Sequence, residues 1–416
     1  GGGGGGGVRK WADLKIRVGY GVTGNQAISP YSAVSKYDPV PFVYNGNYVL
    51  GYALQALGNN RLRWESTEQV DVGIDIALPK NIVYFTIDWY EKKTRDLLQN
   101  VVLPSNTGFS NQLQNVGSIQ NKGFEFTAGA HIFDAETFRW NIQANIFINK
   151  SKILSLGDKT QQFAGRVENV QNTQPFIQKV GEPNGSLYGY VEDGFYDSEE
   201  EVRADPAHKN DDAVTVRGLV GSIRFKDLDG EAGISDKDRT FIGDVNPKYS
   251  FGATNNFNYK NFDASVFISG VQGNDLINLN TYYMAPVGEP GAGNITQEMY
   301  DTRWTEENAA NAKNPRPMAS SGWHSAALKF SRRYVEDGSF VRLKNITLGY
   351  TIPFAKETFF KAVRFHVAIN NLYTITKYSG YDPEVNSFGQ DPSLRGVDLG
   401  AYPQAKTFLV GLKCTF

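Results

Sequence analysis

Ten stretches of this chain alternate apolar and polar side chains with a period of two, and no other feature of the sequence constrains its fold as strongly. That period belongs to strands lying between two unlike surroundings, because successive side chains leave opposite faces of an extended backbone. The last stretch shows it best. Phe408, Val410, Leu412, Cys414 and Phe416 share one face, and Thr407, Leu409, Gly411, Lys413 and Thr415 share the other. Leu14, Ile16, Val18 and Tyr20 form a similar row near the start, followed by Val70, Val72, Ile74, Ile76 and Leu78 opposite Gln69, Asp71, Gly73, Asp75 and Ala77. Further rows begin at Val83, Phe124, Trp140, Phe251, Phe262, Ile346 and Val363.

The connectors are sorted by length. Long ones occupy 21–67, 94–121, 152–248, 273–338 and 373–404, and between them fall short ones at 78–81, 133–137, 260–261 and 353–361. This alternation puts every short turn at one end of a sheet and every long loop at the other, as in outer-membrane barrels, whereas a soluble sandwich has no reason to sort its loops. Mean hydropathy is -0.40, and no apolar run is long enough for a membrane-crossing helix. Alternation hides the apolar face of a barrel inside a polar average.

The rows predict which way each residue faces. Ile74 and Val266 should meet lipid, while Asp75 and Ser265 should point inward. Arg342 and Lys344 are in phase with Ile346 and are assigned to the loop end of their strand, where headgroups and water begin. Trp89, Trp140, Tyr20, Tyr259 and Tyr350 fall at or near strand ends and suit interfacial girdles. Ten strands leave two open edges, whose unsatisfied backbone groups cost several kcal/mol each in hydrocarbon, so a portion outside this sequence is expected to close the barrel.

Other classes are disfavoured. A formal net charge of -2 argues against a nucleic-acid surface. Cys414 is the single cysteine, which excludes an intramolecular disulfide and a thiolate metal cluster, and His131, His208, His324 and His366 lack metal-ligand spacing. No nucleophile, base and orienting group stand at motif spacing, so no enzyme is expected and no catalytic residue is assigned. Residues 1–7 are consecutive glycines, read as a linker or as placeholders for unidentified residues, and 8–416 as the barrel portion. No signal peptide precedes the glycines, so the chain is expected to be a piece lacking its N-terminal part.

Several stretches together resemble the C-terminal half of the SusC/RagA-type TonB-dependent outer-membrane transporters of Bacteroidetes. They include Asp13-Leu14-Lys15-Ile16-Arg17-Val18-Gly19-Tyr20-Gly21, Leu62-Arg63-Trp64-Glu65-Ser66-Thr67, Asp88-Trp89-Tyr90 and Asn121-Lys122-Gly123-Phe124-Glu125-Phe126. Ile242-Gly243-Asp244, Arg303-Trp304-Thr305, Tyr381-Asp382-Pro383-Glu384 and Tyr402-Pro403-Gln404-Ala405-Lys406-Thr407-Phe408 continue the series. The resemblance implies an all-β transmembrane antiparallel barrel of 22 strands, of which this chain supplies about ten, with the plug and N-terminal strands absent. It further implies a periplasmic C-terminus, energisation by TonB-ExbB-ExbD through the absent part, a SusD-like lipoprotein lid, and import of oligosaccharides or peptides. By the same resemblance, the terminal residues Phe408, Val410, Leu412 and Phe416 act as the membrane-insertion signal. The nearest alternatives are a passive porin and a soluble carbohydrate-binding or adhesive β-protein.

Two site expectations remain. Tyr282, Tyr283, Trp304 and Trp323 in the long loops are candidate stacking platforms for substrate. Asp227-Leu228-Asp229-Gly230-Glu231-Ala232-Gly233-Ile234-Ser235-Asp236-Lys237-Asp238 aligns with an EF-hand-like calcium loop, with Asp227, Asp229, Glu231 and Asp238 as candidate ligands. Related transporters usually have glycine at the sixth position. Ala232 stands there and is expected to resist the sharp turn, so a solvated acidic loop like Glu199-Glu200-Glu201 is favoured over a Ca2+ site, and no other cofactor is expected.

Overall fold

A computed structural model describes residues 12–25, 31, 33–79, 82–103, 105–109, 111–167, 174–284, 295–317, 329–354, 359–385, 387–389 and 394–416. The glycines at 1–7 lie outside the described residues. The ten alternating rows become strands β1 (Asp13–Asn25), β2 (Glu65–Ala77), β3 (Val83–Arg95), β4 (Ser118–Asp134) and β5 (Phe138–Ser155), then β6 (Tyr249–Tyr259), β7 (Phe262–Gln272), β8 (Phe340–Ile352), β9 (Ala362–Thr376) and β10 (Thr407–Thr415). They follow one another in chain order in one ten-stranded sheet. With 17 and 18 residues, β4 and β5 outrun the roughly 9–11 that cross hydrocarbon.

By contacts the chain divides into two compact units, one of residues 1–128, 147–162 and 179–184, the other of 129–146, 163–178 and 185–416. In the first unit the antiparallel register sets Ile16 beside Ile74 and Ile74 beside Ile87, which extends the apolar row across three strands. On the opposite face Arg17, Gly73 and Asp88 are neighbours. The connector between β1 and β2 is not plain loop, as the sequence reading had it. It holds a hairpin of Lys36–Tyr44 and Asn47–Ala56. Asn45 (φ 49°) and Gly46 (φ 78°) form its two-residue turn, the dipeptide that tolerates left-handed backbone most readily.

Gly123 shows why a glycine can be required in a wall strand. A Cβ there would lie 2.1 Å from the Ile148 carbonyl oxygen and 2.7 Å from the Tyr90 hydroxyl. The Tyr90 ring thus lies across the glycine, and its hydroxyl donates to Asn149 Oδ1 at 2.8 Å. Gly123→Val is expected to expel the ring and destabilise the barrel by roughly 1–3 kcal/mol, while Tyr90→Phe loses about 1 kcal/mol with one hydrogen bond. The temperature at which heat-modifiable gel mobility is lost measures both, and equal effects would contradict this packing.

In the second unit the register sets Val266 beside Ile346 and Ile346 beside Ile369, again a continuous apolar row. One irregularity changes a face. Phe267 pairs with Asn345 but Ile268 pairs with Leu343, which leaves Lys344 as an extra residue in β8. Such a bulge reverses the phase of everything beyond it. Leu343 therefore joins the apolar row, and Arg342, expected in phase with Ile346, turns to the polar face opposite Ser269 and Thr374.

The long connectors of this unit fold together. Ser186–Gly189 pairs with Thr240–Asp244, and Asp275–Asn278 pairs antiparallel with Val335–Asp337 and parallel with Val397–Asp398. Their inner side chains, including Leu187, Ile242, Ile277, Tyr334 and Val397, share one buried cluster. Glu199, Glu200 and Glu201 are not solvated loop but the first turn of a helix, Glu199–Ala204, whose N-cap Ser198 accepts a hydrogen bond from the Glu201 N–H. Acidic side chains are favourable at that end of a helix dipole.

Candidate functional site

On the polar face of the sheet two arginines are paired with carboxylates and pressed against the wall. Arg17 reaches over Gly73, with Nε 2.9 Å from Asp75 and Nη2 2.8 Å from Asp88. Thr86 donates to the same Asp75 carboxylate at 3.0 Å. In the second unit the Arg364 guanidinium lies over Gly349 and donates through Nε to Asp263 at 2.8 Å. Amides supply much of the rest, as where Asn345 donates to Asn370 at 2.7 Å. This surface presents amides and paired charges at these positions, beside exposed charges such as Glu125 and Lys413.

Arg342 is the most deeply buried cation among the described residues, at 1 % exposure. Its guanidinium donates to Asp382 Oδ1 at 2.6 Å, to Glu384 and, through Nε, to Thr374 Oγ1 at 2.8 Å. Asp382 also accepts from the backbone N–H groups of Glu384 (2.8 Å) and Gln404 (3.0 Å). Burial works against its charge, yet those N–H donors and the guanidinium outweigh it and hold the carboxyl below the usual range. The Asp382-Pro383-Glu384 segment is thereby fastened both to β8 and to the residues leading into β10. Sequence reading missed this site because only the bulge at Lys344 turns Arg342 inward; its signal was a cation in an apolar row.

The proposed stacking rings land elsewhere than expected. Tyr282 (6 % exposed) packs edge-on against Tyr334 in the loop core, and Trp304 (3 %) donates its indole N–H to Asp197 at 2.6 Å. Buried rings have no face to offer a sugar, so both work as loop structure. Tyr283 belongs to the helix Leu279–Met284, with its side chain outside the described residues, as is all of Trp323.

The acidic loop brings carboxylate oxygens of Asp227, Asp229 and Asp238 within 4.8 Å of one another. Glu231 turns away to Lys237 at 3.0 Å. Ala232 does not obstruct the turn, contrary to expectation, because the positive φ angles fall on Gly230 (76°) and Gly233 (95°). Asp238 accepts from the Leu228 and Ser235 N–H groups at 2.8 and 2.7 Å, and Asp227 accepts from Gly230 at 2.6 Å. Outside contacts hold the loop as well, with Lys329 donating to the Ile234 carbonyl and Tyr190 to Asp236. Burial pushes the Asp238 carboxyl up, but the backbone donors push it down by more, leaving it below its ordinary value. A lowered folded value stabilises the loop above the ordinary carboxylate range and loses that contribution as acidification passes through it. Asp238→Asn should therefore loosen the loop at neutral pH and remove its acid sensitivity, as read by proteolysis of 227–238 at pH 7 and pH 3.

At the other end of the chain Phe408, Val410 and Leu412 are exposed on the apolar face beside Ile369, Val367 and Phe365. The Phe416 ring lies 5.2 Å from Phe359 and 5.3 Å from Phe360. The terminal aromatic therefore rests on the β8–β9 turn.

A single sheet of long strands, apolar on one face and polar on the other, with long connectors folded at one end, defines the wall of a transmembrane β-barrel. Residues 6–372 match the family model for the TonB dependent receptor-like β-barrel. The chain belongs to the TonB-dependent receptor family. It is 36 % identical over 97 % of its length to TonB-dependent receptor P3 of Formosa agariphila and 29 % identical over 98 % to TonB-dependent receptor SusC of Bacteroides thetaiotaomicron. It spans only 39 % and 38 % of those two proteins. Among solved structures the RagAB peptide transporter matches 97 % of this chain with a TM-score of 0.78 at 24 % identity, using 41 % of its own chain. That likeness is one of fold.

Proposed function

We propose that the complete protein imports oligomeric nutrients, oligosaccharides first, across the outer membrane with energy delivered by TonB-ExbB-ExbD and with a SusD-like lipoprotein over its outer loops. The observation that carries this reading is the wall chemistry. Amides and charges already paired in plane suit a neutral, hydroxyl-rich cargo better than an ionic one. The folded connectors supply a preformed surface for a lid, and with the C-terminus in the periplasm they face outward. Peptides are the second cargo class, supported by the named activity of the RagAB transporter. Cells carrying the complete receptor should accumulate labelled oligosaccharide only while TonB is present. Uptake that persists without TonB would replace this reading with a passive porin, and uptake of peptides alone would change the cargo class.

A further inference from the structure

The apolar face of the second unit is not uniform. Register sets Ala264 between Phe257 and Leu348 in one cross-strand row, and the next row toward the short turns runs Tyr259, Phe262, Tyr350 and Phe365. One methyl group among large side chains leaves a groove of about 310 Å3 at the short-turn end of β6 to β9. Its walls are rings, with Phe262 and Tyr350 4.7 Å apart. The rim is polar. Lys260 begins the turn between β6 and β7 and holds its ammonium 5.5 Å from the centre of the Tyr259 ring. That turn is fixed from both sides, since the Lys260 N–H donates to the Thr137 carbonyl at 3.0 Å and the Asn261 carbonyl accepts from Thr351 at 2.8 Å. Among the described residues no carboxylate pairs with Lys260.

We infer that this groove binds one acyl chain of an anionic phospholipid, whose phosphate meets Lys260. The surface lies against hydrocarbon, so the occupant must be apolar along its length, and the cation at the rim selects a negative headgroup. Tyrosines at the rim are placed where amphipathic rings meet headgroups. A protein partner would need roughly 1,000 Å2 of contact, far more than a groove of this size provides. The leaflet follows from the orientation proposed above, namely the periplasmic one, while the binding itself does not depend on cargo or energisation.

The test is lipid retention by the complete receptor, purified in detergent, supplied with phosphatidylglycerol or phosphatidylethanolamine and weighed by native mass spectrometry. The parent should hold one phosphatidylglycerol through detergent exchange. Lys260→Gln should lower its preference over phosphatidylethanolamine about fivefold, the factor expected for one basic side chain at an anionic surface. Ala264→Leu, which fills the groove, should abolish retention of both lipids, and Ala253→Leu on the same face of β6 should retain as the parent does. Heat-modifiable mobility is scored first, so that only folded barrels are weighed. Equal retention of the two lipids by the parent, retention by Ala264→Leu, or equal loss in Ala253→Leu overturns the site, and none of these outcomes touches the import reading.

Discussion

Ile74→Arg and Val266→Arg are each expected to reduce the folded, heat-modifiable form of the complete receptor in the outer membrane, at a cost of about 2–4 kcal/mol for a cation near the bilayer midplane. Both residues lie mid-strand in apolar rows that the register carries across three strands. Ser265→Arg, one position away and opposite Thr347, should assemble normally, because its side chain joins the polar face. Asp75→Arg makes a poorer control than the alternation suggested, since Asp75 pairs with Arg17 and the replacement would set two guanidinium groups together. Normal assembly of Ile74→Arg and Val266→Arg would invert or abolish the assignment of faces.

Arg342→Met is expected to cost about 3 kcal/mol and to release residues 377–385 to proteases, because it leaves the buried Asp382 carboxylate without its cation, while Glu384 keeps Lys344. The penalty comes from the buried Asp382 carboxylate left behind rather than from the strength of the pair. Arg342→Met combined with Asp382→Asn, which removes the charge and keeps an acceptor for a backbone N–H, should therefore be more stable than Arg342→Met alone. Acid gives an independent reading. Asp382 is held below its ordinary value, so its contribution is complete above about pH 4 and disappears as the pH falls through the lowered folded value. Protease protection of residues 377–385 should be the same at pH 7 and pH 5 and should fall only below about pH 4. A gradual loss between pH 7 and pH 5 would place the sensitive group elsewhere.

The strands were legible because lipid on one side and polar groups on the other impose a period that sequence displays directly. All ten rows became neighbours in chain order, and the long and short connectors fell where their lengths put them. What alternation could not reveal was the bulge at Lys344, since one extra residue preserves composition while exchanging faces. Counting by twos from Ile346 therefore puts Arg342 on the apolar face, whereas the bulge turns it to the polar one. The hairpin after β1 is marked in the sequence by Asn45-Gly46, but its apolar residues do not follow the period of a two-faced barrel row. Aromatic content pointed to Tyr282 and Trp304 as open rings, yet long connectors that fold need a core, and these rings are built into the loops. In the acidic loop three of the four spaced carboxylates, Asp227, Asp229 and Asp238, lie close together, while Glu231 turns to Lys237. The left-handed angles fall on Gly230 and Gly233 rather than at Ala232, because that is decided by how the loop closes.

The parallel pairing of Ile277 with Val397 dictates a sequence of events in biogenesis. These residues can meet only when everything between them, including β8 and β9, has been delivered and both connectors stand on one side of the bilayer. An assembly arrested before the last hairpin would therefore leave Ile277 and Leu279 without Val397 and Leu394, an apolar surface open to chaperones and degradative enzymes. Quality control could in this way distinguish finished from unfinished receptors by their loops alone, without inspecting the wall.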